Sequence, residues 1–365
     1  MSFAAHSVIA LYALAIVVML LVVLMAVARS VRLRRRTRTE RIAAPLRPML
    51  IRLMAADEID EDALETLVRL PDSEWHAIEP RVFALLDKVR GRAAEAIDGL
   101  LRSRGAVARS LDETTSRGAV KRANAIVRLA SLRRREYAGI FERMLQDADK
   151  DVRRAAAVGL GKVGRPESVA PLLGCVTGRR TVSPLVIGDA LARIGPGAAE
   201  TLAVMLKSGT LLQRKLAAEV LGRVGATSAE TALAGAARTD PAEKVRATAV
   251  EALGKVGTWD AVDTLLDVAV ADPAVPVRCA AIMALAEHSG TGVVATLERA
   301  LGDNDYDIAH VAAYALTQLG LAGRDVLERA AARPELSAAG HATEALAAAD
   351  LDEQLGRRAT RRVLV

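Results

Sequence analysis

The sequence predicts an all-α fold, an α-solenoid of stacked helical hairpins that follows a single N-terminal transmembrane helix. Three observations support this prediction. A leucine-centred pattern returns about every 31 residues, residues 8–28 carry no charged side chain, and aromatic residues make up only 2% of the 365 residues. A core without aromatic rings has to be filled by Ala, Leu and Val, which favours closely packed helices over a β-sandwich. A fixed period of 20–50 residues is typical of solenoids.

Residues 1–30 are predicted to form the membrane anchor. The run Val8–Ala28 has twenty-one uncharged residues. At about 1.5 Å per residue a helix of this length spans ~31 Å, close to the ~30 Å hydrocarbon core of a bilayer. A cleaved signal peptide fits less well, because no positive charge precedes the run and the run exceeds the usual ~7–15 residues.

Residues 31–50 are predicted to form an Arg-rich juxtamembrane linker. Nine arginines and one acidic residue lie between positions 29 and 52, whereas no Lys or Arg precedes the apolar run. This asymmetry predicts a single-pass protein of the cell membrane with its N-terminus outside and its repeat domain cytoplasmic. Arg29–Arg41 are expected to contact anionic lipid headgroups.

The clear repeats occupy residues 120–350, and residues 51–119 are interpreted as degenerate helical repeats. In each repeat an Ala-rich first segment, which ends in most copies at glycine, precedes a second segment with helical apolar spacing. Each unit has to stack on its neighbours to bury its apolar faces. Residues 351–365 form a basic tail. The shared leucines, 30–32 residues apart, are Leu160, Leu191, Leu221, Leu253, Leu285 and Leu316.

The repeats also share an Asp-x5-Arg string, found at Asp147/Arg153, Asp240/Arg246 and Asp272/Arg278. With the Ala-rich helix and the Leu-Gly-x-x-Gly ending, this string resembles the HEAT repeat in the short form of phycobilisome-lyase-like proteins. The resemblance implies that these Asp and Arg side chains form a structural ladder between stacked units. Two repeats lack the Asp and Ala309 replaces the Arg, so the ladder is expected to be interrupted at these positions.

The charge of the body argues against specific nucleic-acid binding. The net charge of +6 comes from the Arg-rich linker and the tail, and residues 136–355 hold twenty-two Lys and Arg against twenty-nine Asp and Glu. Few aromatic rings are present to stack on bases. The basic stretch 81–135, with fourteen Lys and Arg against five acidic residues, leaves open a local patch for phosphate or an acidic partner.

Motifs for chemistry are absent or explained by architecture. The Gly-x-Gly-x-x-Gly string at 159–164 closes a helix, whereas a dinucleotide site needs it to open one. The five histidines form no His-x-x-x-His or His-Glu pair, and Cys175 and Cys279 are too few for a disulfide framework or zinc site. The sequence therefore predicts no cofactor, no metal and no catalytic residue, and we expect the protein not to be an enzyme.

Three aromatic residues depart from the character of their repeat equivalents and are predicted to bind a protein partner: Trp259, Tyr306 and Tyr314. Tyr314 stands where other repeats have Asp189, Glu219 and Glu251, a solvent-facing position by pattern. Aromatic side chains on a charged surface are typical binding anchors.

These observations favour a membrane-anchored cytosolic scaffold for protein–protein interaction. The alternative is an accessory or regulatory subunit of a membrane enzyme, such as a polysaccharide-type glycosyltransferase. A lyase-like enzyme is a third hypothesis, which no catalytic residue supports.

Overall fold

The computed structural model describes residues 16, 18–27, 29–30, 40–55, 61–334 and 337–363. The described residues form helices and turns without a β-strand, as the sequence predicts. Two compact units are present, residues 1–132 and residues 133–365.

More than half of the predicted anchor, residues 1–30, lies outside the described residues. Residues 8–15, 17 and 28 of the apolar run and residues 31–39 of the linker lie outside the described residues. Residues 18–27 are helical. Within the part of the chain that is described, no helix combines the length and the apolarity needed to cross a membrane.

Between positions 47 and 131, the described residues of the first unit form six helices around a small core. Trp75, Ile78 and Leu67 are buried in this core. The helix Asp72–Leu85 packs against both Gly91–Ser103 and Ala119–Ser131. The helices are α1 (Arg47–Ala55), α2 (Glu61–Val68), α3 (Asp72–Leu85), α4 (Gly91–Ser103), α5 (Ala106–Glu113) and α6 (Ala119–Ser131).

The second unit is a stack of helical hairpins. Its first helices are α8 (Lys150–Val163), α10 (Pro184–Ile194), α12 (Leu211–Arg223), α14 (Glu243–Val256), α16 (Val275–Leu285) and α18 (Tyr306–Gln318). Its second helices are α9 (Val169–Gly174), α11 (Ala199–Ser208), α13 (Glu230–Thr239), α15 (Trp259–Ala271), α17 (Thr291–Leu301) and α19 (Leu321–Ala331). Helix α7 (Ala138–Met144) precedes the stack, and α20 (Ala338–Val363), which includes most of the predicted basic tail, follows it.

Two layers of helices result from this stacking. Each first helix packs on the first helix of the next hairpin, from α8 through α18 to α20, and the second helices pack in the same order from α9 to α19. The core lies between the layers, where all six shared leucines are fully buried. The 31-residue pattern therefore marks the residues that hold each hairpin to its neighbours, and the predicted solenoid is confirmed.

Glycines at two places in a hairpin have separate roles. Gly164 ends α8 in the left-handed conformation (φ 72°) and its N–H donates to the carbonyl of Leu160, which is the usual helix stop. Gly222 lies inside α12, where an added Cβ would stand only 2.6 Å from Cα of Ala252 on α14. The absence of a side chain at Gly222 lets neighbouring first helices approach closely.

Candidate functional site

One face of α18 carries two of the three aromatic residues predicted to bind a partner. Tyr306, His310 and Tyr314 are spaced four residues apart, which places them along one side of the helix. Tyr306 is 65% exposed and Tyr314 is 54% exposed. The rings of Tyr306 and His310 are stacked, with centroids 5.7 Å apart and an angle of 8° between their planes.

Helix α20 supplies the opposite wall of this site. His341 lies edge-on to Tyr306, with ring centroids 4.9 Å apart, and its ring centroid is 6.0 Å from that of His310. Glu344, one turn further along α20, places a carboxylate oxygen 4.0 Å from Nδ1 of His310. The two helices enclose a groove of about 420 Å³ whose lining includes His310, Tyr314, His341 and Glu344. We call these four side chains and Tyr306 the α18–α20 site.

The third predicted aromatic residue is not part of this site. Trp259 is the first residue of α15, two hairpins earlier, where its indole is 82% exposed. Thr258 caps the helix beside it by accepting a hydrogen bond from the N–H of Ala261. Tyr306 and Tyr314 therefore form a shared surface, and Trp259 is a separate exposed side chain.

A metal ion has suitable donors at the α18–α20 site. One ligand atom from each of His310, His341 and Glu344 lies within 4.8 Å of the other two. Imidazole nitrogen and carboxylate oxygen are ligands that Zn²⁺ and related ions accept. The prediction of no metal considered only motifs within one helix and missed this arrangement.

A signal for the site is nevertheless present in the sequence. His310 and His341 are 31 residues apart, which is the period of the repeat. Residues one period apart occupy equivalent positions on first helices that stack directly, so this spacing brings the two imidazoles together. Glu344 follows His341 by three residues and so shares its helix face.

A second cavity, of about 710 Å³, lies beside α17 and α19 and is bordered by the turn that contains His288. In its lining, Arg329 bonds Glu298 at 3.0 Å and also pairs with Asp325. The α18–α20 site brings exposed tyrosine rings together with two imidazoles, and it is the stronger candidate for binding.

The Asp and Arg ladder joins three hairpins. Arg214 donates two hydrogen bonds to the carboxylate of Asp240 in the next hairpin, at 2.7 and 3.0 Å. Arg246 binds Asp272 with the same geometry, also at 2.7 and 3.0 Å. Each arginine additionally donates to a backbone carbonyl of the turn before its own helix, as Arg246 does to Asp240 at 2.9 Å. Each arginine thus bonds a carboxylate of the following hairpin and a backbone carbonyl of its own hairpin, so its side chain links the two.

The carboxylate contacts end at Thr181, where the repeat has no aspartate, and at Arg278, although the next repeat contains Asp303. Arg153 bonds the carbonyl of Thr181 at 3.3 Å, in the repeat that has no aspartate, and the carbonyls of Asp147 and Ala148 at 2.9 Å. Arg278 donates to the carbonyl of Asp272 at 2.9 Å. Carboxylate contacts therefore connect α12, α14 and α16, and a carbonyl contact replaces them at the first hairpin.

The charge state of the ladder is fixed by these contacts. Burial by itself raises the pKa of Asp272, but the hydrogen bonds from Arg246 and from the N–H of Ala274, with the charge of Arg246, outweigh it. The pKa of Asp272 therefore lies below its ordinary value. The hydrogen bond to Asp272 also raises the pKa of Arg246. The pair is ionised at neutral pH.

The cysteines and the Gly-x-Gly-x-x-Gly string have structural surroundings. Burial raises the pKa of Cys175, and burial with the nearby Asp307 raises the pKa of Cys279, so neither thiol is activated as a nucleophile. The glycine string closes α8, and an added Cβ at Gly161 would stand 2.7 Å from Cα of Ala190. This close helix contact accounts for the string.

Several arginines of the basic stretch 81–135 form ion pairs within the first unit. Glu79 is buried at 6% exposure, accepts a hydrogen bond from the indole of Trp75 at 2.9 Å and pairs with two arginines. The ion pairs of this stretch include Arg81 with Glu40, Arg102 with Asp98, Arg104 with Asp72, Arg109 with Glu79, and Arg128 with Glu79 and Glu113. Part of the local positive charge is therefore neutralised.

Comparison with known proteins identifies a repeat family. The model of HEAT repeats matches residues 111–182, 198–278 and 262–347, more than half of the chain. No curated protein sequence matches the chain.

Solved structures to which the chain is similar include human deoxyhypusine hydroxylase in complex with glycerol (19% identity, 71% of this chain and 95% of that chain, TM-score 0.31). They also include the complex of CpcE and CpcF of phycocyanin lyase from Nostoc (17% identity, 67% and 94%, TM-score 0.28). A third is yeast importin-beta (12% identity, 83% of this chain and 52% of that chain, TM-score 0.43).

Proposed function

Because this chain belongs to the HEAT-repeat family, we propose that it is a membrane-anchored, non-enzymatic scaffold that binds a partner protein through its C-terminal repeats. The observation that carries this proposal is the exposed aromatic face of α18. Stacked hairpins present a long continuous surface suited to binding proteins, and Tyr306 and Tyr314 give that surface two anchors.

The energetics of the aromatic face favour binding over a role in folding. Tyr314 is 54% exposed, and three of the other hairpins have an exposed acidic side chain at its position, namely Asp189, Glu219 and Glu251. A half-exposed ring contributes little to the core, but it gains apolar contact area when a partner covers it. Aromatic anchors at protein interfaces are among the residues whose removal costs most binding energy.

The surrounding charge gives the partner a chemical character. Residues 136–355 carry an excess of acidic over basic side chains, and Asp307 and Glu344 lie on the same two helices as the aromatic face. An acidic field orients a basic or mixed surface before contact and speeds its association. We therefore propose a partner with a basic surface around an apolar pocket.

Anchoring at the cell membrane is the second part of the proposal. Residues 18–27 are helical and their large apolar side chains are exposed, from Leu21 at 50% to Met19 at 70%. A helix that is apolar on every side is suited to a lipid environment, and the arginines that follow it favour a cytoplasmic, anionic membrane surface. Tethering confines the scaffold and its partner to the membrane and raises their effective concentration.

A crosslinking pull-down from native membranes tests both parts. The full-length protein is expected in the membrane fraction, and protease added to intact cells should leave its repeat domain undigested. The Tyr314→Ala variant should bind the crosslinked partner about 5–30-fold more weakly, corresponding to about 1–2 kcal/mol, with helical circular dichroism unchanged.

Two control variants make the result specific. Leu185→Ala removes another exposed apolar side chain, 69% exposed on α10, and Arg134→Ala removes a charge of the basic stretch. Both should retain the partner. Retention by Tyr314→Ala together with loss by Arg134→Ala would reject the aromatic face as the binding surface, and recovery of the wild-type protein in the soluble fraction would reject the anchor.

A further inference from the structure

We propose that His310, His341 and Glu344 form a binding site for a divalent transition metal ion, for which Zn²⁺ is the probe. All three ligands come from this chain, so the metal site needs no residue of the proposed partner, although it lies within the same α18–α20 site. It would join α18, the first helix of the hairpin α18–α19, to α20.

The distances place the three donors close to a coordination sphere. Their ligand atoms lie within 4.8 Å of one another, and Nδ1 of His310 is 4.0 Å from a carboxylate oxygen of Glu344. Ligand atoms that bind zinc at about 2.0–2.2 Å in a tetrahedron stand roughly 3.3–3.5 Å apart. The side chains of His310 and Glu344 are 48% and 65% exposed, so small rotations about their side-chain bonds suffice to close the remaining gap.

Packing orients the two imidazoles before any ion arrives. Tyr306 stacks on the ring of His310 at 5.7 Å and contacts the edge of His341 at 4.9 Å. One aromatic ring therefore contacts both histidines and restricts the orientations of their rings, which lowers the entropy lost on binding. Tyr306 acts as a positioning residue and need not contact the ion.

The donor set determines the class of ion. Two imidazole nitrogens and one carboxylate oxygen suit Zn²⁺ and its first-row neighbours, whereas Ca²⁺ and Mg²⁺ prefer six or more oxygen ligands. Three protein ligands leave a coordination position for water or another ligand, and the groove beside Tyr314 gives access to it.

Binding has a structural consequence at the end of the stack. The ligands come from two helices, so the ion links α18 to α20 and stabilises the folded form in proportion to its concentration relative to the dissociation constant. Helix α20 packs against α18 and α19. A metal link between α18 and α20 adds to this packing.

Isothermal titration of the metal-free, full-length protein in detergent with Zn²⁺ tests the site. We expect one ion per chain, at least tenfold weaker binding for His341→Gln and for Glu344→Gln, and unchanged binding for His76→Ala, which removes an exposed histidine of the first unit. Co²⁺ should give the visible absorption of a four-coordinate site in the wild-type protein and lose it in His341→Gln.

Two further variants separate positioning from ligation. Tyr306→Phe keeps the ring and should retain the wild-type affinity, and Tyr306→Ala should weaken Zn²⁺ binding several-fold. The glutamine variants preserve side-chain size, and their circular dichroism should match the wild type. The proposal is overturned if His341→Gln binds Zn²⁺ as tightly as the wild type, or if the wild-type protein binds no Zn²⁺. Either result leaves the pull-down with Tyr314→Ala unaffected.

Discussion

Replacing Gly222 with alanine is expected to destabilise the repeat unit, whereas the same substitution at Gly235 is expected to stabilise it. Both glycines lie inside helices, Gly222 in α12 and Gly235 in α13. An added Cβ at Gly222 would stand 2.6 Å from Cα and 2.7 Å from Cβ of Ala252, but at Gly235 it would meet nothing within 4 Å. The two variants therefore differ in the space available to the new methyl group, which is occupied at position 222 and open at position 235.

The size of the effect follows from two opposing contributions. Alanine is favoured over glycine in a helix interior by about 1 kcal/mol, and this gain applies to both variants. At Gly222 the methyl group must also reach a contact distance of about 3.5–4.0 Å, which requires α12 and α14 to separate by roughly 1 Å. Overpacking of this kind costs about 1–3 kcal/mol. The difference between the two variants is therefore expected to be about 1–3 kcal/mol.

Thermal unfolding followed by circular dichroism measures that difference. For a unit of this size, 1 kcal/mol corresponds to about 2–4 °C in Tm, so the two midpoints should differ by roughly 2–12 °C with Gly222→Ala the lower. Equal shifts in the same direction would show that α12 and α14 are not in close contact at Gly222, and the proposed role of the glycine would be wrong.

Two more predictions concern the core and the ladder. Leu253→Ala, at a fully buried position, should lower the free energy of unfolding by about 2–5 kcal/mol, and an unchanged urea midpoint would contradict the repeat alignment. Asp272→Asn should cost about 3 kcal/mol at pH 7, since it breaks a mostly buried ion pair with Arg246. The pKa of Asp272 is lowered in the folded protein, so its contribution is complete above the unfolded value of about 3.9 and is lost as pH falls below it. Chemical unfolding at pH 7 and pH 3 should show the gap between wild type and variant narrowing in acid.

From the sequence we can predict which positions are buried or exposed where the repeat recurs or where one helix alone determines the pattern. The shared leucines are buried because each lies at the same place in a hairpin, and the charged residues Asp189, Glu219 and Glu251 at the equivalent position predict correctly that Tyr314 is exposed. The close contact at Gly222 is harder to foresee, since a glycine near a helix end also suits a helix stop. Its role depends on how closely the next helix approaches, which the periodicity alone does not determine.

The α18–α20 site illustrates a different limit. A search for motifs within one helix finds no metal ligands around His310, because the second imidazole comes from the next repeat. Placing His310 and His341 one period apart in the alignment brings them together, but the orientation of their rings depends on Tyr306. Ring stacking is a property of side-chain conformation, and a periodic pattern contains no information about it.

The 32-residue spacing between Asp240 and Asp272 has a consequence for how the gene can change. Loss of the segment 240–271 by recombination between neighbouring copies would bring Asp272 to the place of Asp240, opposite Arg214. Ala284 would similarly replace Ala252 opposite Gly222. Each of these alanines already packs closely against a glycine of the preceding first helix, Ala252 against Gly222 and Ala284 against Gly254. The shortened protein would recover the same junction without a compensating mutation. Lineages of this protein can therefore vary in length by whole hairpins in this region, whereas the junction at Thr181, which lacks a carboxylate, does not offer an equivalent exchange.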